Sequence, residues 1–176
     1  MQIFHTILDL IAMRSFSNLW YWIALAVTWS SASHWVLGVP YDMVLRARRV
    51  GGQAQEDLVL LARLNVARLL NIAREAGLIL AIMVPFGLTF LLVTGFFYGS
   101  ELAQAVFLLI FPLSGVGLLS LRTAARLEPI VAEGDATLVD RILSRHRISV
   151  QAIGMVAITC TALWGMWQNL KFSVLG

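Results

Sequence analysis

Four stretches of this sequence, Leu19 to Leu37, Leu78 to Phe97, Leu102 to Leu121 and Ile148 to Trp167, contain no Asp, Glu, Lys or Arg. Each has the roughly 17–25 predominantly apolar residues that the core of a bilayer asks of a spanning helix. Lipid offers the backbone no hydrogen-bond partners, so a segment of this kind must close its own bonds as a helix. A chain that is 59% hydrophobic and 13% charged, with mean hydropathy +0.81, also lies outside the range of soluble domains. The expectation is an all-α membrane protein, a four-transmembrane-helix bundle with amphipathic surface helices, forming one integral membrane domain over residues 1–176. The N-terminal segment has no basic region ahead of a short apolar run and no small-residue cleavage site, so no cleaved leader is expected.

Arginine sets the expected orientation. Arg46, Arg48, Arg49, Arg63, Arg68 and Arg74 fall between the first and second runs, and Arg122, Arg126, Arg141, Arg145 and Arg147 between the third and fourth. Only Arg14 and Lys171 lie on the other side. The positive-inside rule then makes both long connections cytoplasmic and leaves both termini, with the short Tyr98 to Glu101 turn, outside. Trp20, Tyr21, Trp22, Trp164 and Trp167 map to that same outer interface, where aromatic side chains concentrate. The location implied is a bacterial inner membrane, crossed several times, N-out and C-out.

Between the runs the chain turns amphipathic. Ile3, Ile7, Leu10, Ile11 and Arg14 recur at helical spacing within Gln2 to Phe16, the pattern of a surface or docking helix. Gly38 and Pro40 are expected to stop the first span. After Gly51 and Gly52, residues 53–76 place Leu58, Leu61, Ala62, Val66, Leu69, Leu70, Ile72 and Ala73 on one face of a helix. That face must be buried in headgroups, beneath the bundle or against another subunit, and Leu58, Leu61 and Leu69 are the residues to test as a partner or packing surface. Spans two and three, joined by four residues, form a helical hairpin with Ser100 as the N-cap and Glu101 against the positive end of the next helix. Pro129 and Gly134 punctuate the last connection, and Asp135 opens a helix that runs on into span four.

Small residues supply close packing where lipid gives apolar surfaces no drive to associate. Gly154, Ala157, Thr161 and Gly165 form such a stripe on span four, and Gly95 and Gly99 a GxxxG pair at the outer end of span two. Ala24, Thr28, Ser31 and Ala32 do the same on span one, while Pro85 and Pro112 are expected to kink their helices.

Chemistry is sparse. Intramembrane ionisable residues mark ion paths and proton relays, and His34 is the one here besides the thiol of Cys160, which argues against a pump and makes His34 a locally hydrogen-bonded interfacial group. Haem ligation would need His34 paired with His146, which lies at a different depth. A single cysteine excludes an internal disulfide or a one-chain thiolate cluster. No nucleophile constellation, metal-ligand spacing or nucleotide-binding loop is present, so no enzyme activity, cofactor or metal is expected. The loop arginines are interleaved with eight carboxylates, a pattern of topology and anionic lipid contact and not of nucleic-acid binding.

Three stretches, MRSFSNLWYWIALAV, ASHWVLGVPYDMVLRARR and AQAVFLLIFPLSGVGLLSLRTAARLE, resemble a small family of alphaproteobacterial integral membrane proteins often labelled a component of the SufBCD complex. The resemblance runs over most of the chain and implies a bacterial inner-membrane location. The function expected is a non-catalytic accessory subunit or assembly factor of a larger inner-membrane complex, respiratory or photosynthetic, with lipid and other membrane subunits as partners. One alternative is a homo-oligomeric ion channel lined by Thr28, Ser31 and His34, with Arg46 to Arg49 at its mouth favouring anions. The other is a b-type haem protein.

Overall fold

The computed structural model describes residue 16 and residues 19–174, with side chains described as far as residue 170. Apart from Phe16, the amphipathic N-terminal segment lies outside the described residues. What is described is helical except for one small hairpin: α1 (Leu19–His34), β1 (Trp35–Val36), β2 (Val39–Pro40), α2 (Tyr41–Val50), α3 (Gln53–Leu92), α4 (Glu101–Glu133) and α5 (Ala136–Val174). A π-helical turn, Val93–Phe97, extends α3. Three helices are long and apolar enough to cross a membrane: Gln53–Phe97, Glu101–Glu133 and Ala136–Leu170.

The expected first span is shortened. Helix α1 has 16 residues and ends at His34, three short of Leu37, so at about 1.5 Å per residue it rises roughly 24 Å against a core of about 30 Å. Its end is made by the hairpin, in which Trp35 pairs with Pro40 and Val36 with Val39. Leu37 and Gly38 at the tip both take positive φ, 53° and 78°. Glycine tolerates that conformation; a leucine held there is strained and has to be fixed by its surroundings, and Leu37 packs against the core of its unit. Pro40, with φ −61° and ψ 133°, then leads straight into α2.

Helix boundaries follow local chemistry. Gly51 takes a φ of 70° and its N–H returns to Ala47 O at 3.1 Å, closing α2. Ser100 caps α4, its Oγ accepting from Ala103 N at 3.4 Å. Asp135 caps α5 by accepting from the N–H groups of Thr137 and Leu138 at 2.9 and 3.0 Å. Pro129 does not end α4, since its fixed φ is compatible with a helix and costs only one backbone bond there; Gly134, with φ 81°, does end it.

Contacts divide the chain into two compact units, and α1, α3, α4 and α5 each contribute to both. The first gathers residues 1–28, 82–114 and 153–176. Its centre is built from small side chains: Ala103, Ala105, Ala157 and Thr161 are buried with Leu25, as are Gly95, Gly154 and Gly165. A Cβ on Gly95 would stand 2.9 Å from Gln104 N, so the π-helical turn and the first turn of α4 meet in a contact only glycine permits.

The second unit, residues 29–81 and 115–152, has a conventional hydrophobic core. Val36 and Val39 of the hairpin, Val44 and Ala47 of α2, Ala124, Leu127 and Val131 of α4, and Val139 and Leu143 of α5 close around α3. Helix α3 presents Leu58, Ala62, Val66 and Leu70, with Leu61 and Leu69 packed at the margin. The apolar face of residues 53–76 is thus covered by this chain at Leu58, Ala62, Val66 and Leu70, while Ile72 stays exposed. A helix lying flat on the membrane would have to break before span two, and α3 runs unbroken from Gln53 to Leu92.

Leu58→Ala should lower stability by about 2–5 kcal/mol, the usual cost of emptying a core leucine site, whereas Leu64→Ala, at a position 62% exposed, should stay within about 0.5 kcal/mol. Thermal unfolding in detergent, followed by circular dichroism, reads the difference.

Candidate functional site

Polar side chains in an apolar protein are the natural place to look for chemistry, and here the buried clusters close on themselves. In the first unit Gln104 is 4% exposed and makes three hydrogen bonds. Its Nε2 donates to Gly95 O at 2.8 Å, and its Oε1 accepts from Trp164 Nε1 at 3.0 Å and from Gln168 Nε2 at 2.6 Å. One amide therefore ties the π-helical turn, α4 and α5 together. Aromatic rings surround this knot, Phe96 against Trp164 at 5.2 Å and Phe107 against Phe111 at 5.4 Å. Helix α1 joins the unit through Tyr21 Oη, which donates to Ala105 O, and through Phe16 N, which donates to Glu101 Oε1 at 2.8 Å. Phe16 also packs on Gly165, where a Cβ would lie 3.3 Å from its ring.

In the second unit the arginines pair inward. Arg48 Nε lies within 2.8 Å of Asp140 and its Nη2 donates to Ser144. Arg147 Nε donates to Ser33 O at 3.2 Å, while its guanidinium stacks 3.7 Å over the ring of Tyr41. Burial alone would raise the Tyr41 phenol, but polar contacts with Ser144 and Arg147 and the charges of Arg48 and Arg147 outweigh it and hold the group below its ordinary value. On the exposed side Arg74 pairs with Glu128 at 2.9 Å.

The two histidines considered as a haem pair have unlike surroundings. His34 is exposed, with its ring edge-to-face on Trp35 at 5.8 Å. His146 is 5% exposed, with Ser120 Oγ 3.3 Å from Nε2 and Thr123 Oγ1 3.1 Å from Nδ1. Both hydroxyls donate to backbone carbonyls of their own helix, Ser120 to Val116 O and Thr123 to Leu119 O at 2.8 Å, so a neutral imidazole satisfies its single N–H on one hydroxyl oxygen. Among the described residues no group of three His, Cys, Asp or Glu side chains is arranged to hold a metal ion.

The remaining candidates divide by surroundings. Gly95, Gly154, Thr161 and Gly165 are buried within the first unit. Gly99, with φ 73° and open space around it, makes the turn and meets no other helix among the described residues. Thr28 is half-buried and Ser31 exposed, while Leu25 and Trp29 take the buried positions of α1. Hydroxyls within the helices mostly bond to their own backbone, as Thr159 does to Met155 O and Thr161 to Ala157 O. Trp29 Nε1 is buried without a hydrogen-bond partner among the described residues, and nothing in its surroundings accounts for this.

The apolar run of α3 contrasts with these closed clusters. None of its most hydropathic 18 residues is buried. Leu78, Ile79, Ile82, Met83, Phe86 and Phe90 are all exposed, and a Cβ added to Gly77 or Gly87 would meet nothing within 4 Å. Hydropathy marked this run as a span but carried no sign that none of its residues would be buried among the described residues. No family model matches the sequence, and neither a curated protein nor a solved structure shows significant similarity to it.

Gln104→Leu removes three hydrogen bonds worth about 0.6–2 kcal/mol each between helices in lipid. It should lower the thermal midpoint and shift tryptophan emission as Trp164 loses its acceptor, while Thr159→Ala, with a bond inside one helix, should leave both unchanged.

Proposed function

We propose that this chain is a non-catalytic accessory subunit or assembly factor of a larger bacterial inner-membrane complex, respiratory or photosynthetic, and that the apolar run of α3 is its docking surface. The observation that carries the reading is the absence of any buried residue among the 18 most hydropathic positions of that helix, in a chain whose buried polar clusters close on themselves. Helices in lipid associate through close backbone approach at small residues, and Gly87, with open space around it beside Phe86, offers that approach to a second protein.

In the proposed topology the chain crosses four times, with both termini outside. Support for α1 as the first crossing comes from its ends. Tyr21 and the adjoining Phe16 bond to Ala105 and Glu101 at the start of α4, whereas Val36 and Val39, just beyond its last turn, share a core with Ala124 and Leu127 toward the far end of α4. The hairpin supplies the length that 16 helical residues lack.

A photo-crosslinking residue in place of Phe86, followed by mild-detergent extraction from the native membrane, should give one protein adduct at fixed stoichiometry. Adducts with lipid alone would overturn the proposal. Adducts only with a second copy would favour the channel built on Thr28, Ser31 and His34, and a Soret band in the same sample would favour the haem reading. For topology, a membrane-impermeant maleimide applied to spheroplasts carrying Cys160→Ser should label Ser100→Cys, and should label Gly134→Cys only after lysis.

A further inference from the structure

The second unit contains a cleft of about 450 Å³ whose lining includes Trp35, Gly38, Asn65, Arg68, Ile72 and Gly117. We propose that it is a binding site for one anionic phospholipid of the cytoplasmic leaflet, with the phosphate on Arg68 and an acyl chain along Trp35, Ile72 and Gly117. The assignment of leaflet rests on the topology proposed above.

Charge and depth both favour this occupant. Arg68 is the only charged residue lining the cleft, and among the described residues it has neither ion pair nor hydrogen bond, in contrast to Arg48, Arg74 and Arg147. A guanidinium matches a phosphate with two parallel N–H donors. The lining also straddles the end of the apolar runs: Gly117 belongs to 102–121 and Trp35 to 19–37, while Asn65 and Arg68 precede 78–97. An amphiphile has that division; a soluble anion does not.

The apolar wall is open to a chain. Trp35 is 55% and Ile72 45% exposed, and a Cβ on Gly117 would meet nothing within 4 Å. The floor is set by a tight contact, for a Cβ on Gly38 would lie 2.7 Å from Asn65 Oδ1. Asn65 is itself anchored by donating to Leu61 O at 3.0 Å. The strained tip of the hairpin, Leu37 and Gly38, therefore forms part of the site wall. Basic clefts beside transmembrane helices on the cytoplasmic side are recurrent sites for acidic headgroups.

Native mass spectrometry of the full chain in detergent, titrated with phosphatidylglycerol or phosphatidylcholine, tests the site without any partner protein, so its outcome is independent of the crosslinking at Phe86. Both lipids present the same phosphodiester to Arg68, but the choline cation cancels the charge of phosphatidylcholine, so the wild-type chain should retain one phosphatidylglycerol about fivefold more tightly, the scale of one basic side chain at an anionic lipid surface. Arg68→Gln should abolish the preference and Arg63→Gln, which removes an equal charge elsewhere, should keep it. Gly117→Leu, which fills the apolar wall without touching Arg68, should weaken phosphatidylglycerol retention. Equal retention of the two lipids by the wild type, or an Arg68→Gln chain that behaves as wild type, would overturn the proposal. So would competition by inorganic phosphate at the affinity of the lipid combined with no effect of Gly117→Leu, which would make the cleft a site for a soluble anion.

Discussion

Water drives apolar surfaces together and lipid does not, and the packing of this chain depends on that difference. The most apolar run, on α3, buries none of its residues. Residues 53–70 of the same helix are far less apolar overall, yet they insert Leu58, Ala62, Val66 and Leu70 into a closed core. Where water is the solvent, burying a Leu or Val contributes about 1.5–3 kcal/mol, and such side chains make up most of the core of the second unit. Within the first unit cohesion has to come from shape and hydrogen bonding, which explains why its buried positions are so rich in Gly, Ala and Thr and include a glutamine.

Gln104 shows how much one polar group accomplishes there. Its amide holds a carbonyl freed by the π-helical turn and two donors on α5. The turn itself is possible because Gly95 lets the backbone approach α4. Polar groups so fully occupied serve cohesion. This is the physical basis for locating function on surfaces, the uncovered run of α3 and the cleft around Arg68, and for treating the buried polar groups as structural.

The sequence disclosed those parts of the fold that depend on local chemistry. The three longer helices enclose the runs 78–97, 102–121 and 148–167, and Ser100 and Asp135 cap the helices that follow them. Partners distant in sequence were not legible. Periodicity shows that residues 53–76 have an apolar face and cannot say whether lipid, protein or the same chain covers it. Arg48 and Asp140 are 92 positions apart and Ser120 and His146 are 26 apart, so no spacing rule joins them. The shortening of α1 depends on a leucine in a conformation that leucine rarely adopts, which propensity argues against. The site at Arg68 was visible only as one of eleven loop arginines; what distinguishes it is its place on the wall of a cleft that holds no other charged residue.

The bonds of α1 also bear on the order in which the molecule is assembled. Phe16 and Tyr21 find their partners 85 and 84 residues downstream, and Ser33 accepts from Arg147, 114 residues downstream. Synthesis delivers α1 first and these partners much later. The earliest of the described helices to be made is therefore among the last to be seated, since Ser33 finds its partner only once α5 has been translated. During that interval α1 is the element most open to capture by insertion factors or by another copy, so the fidelity of assembly rests on how quickly the end of the chain follows its beginning.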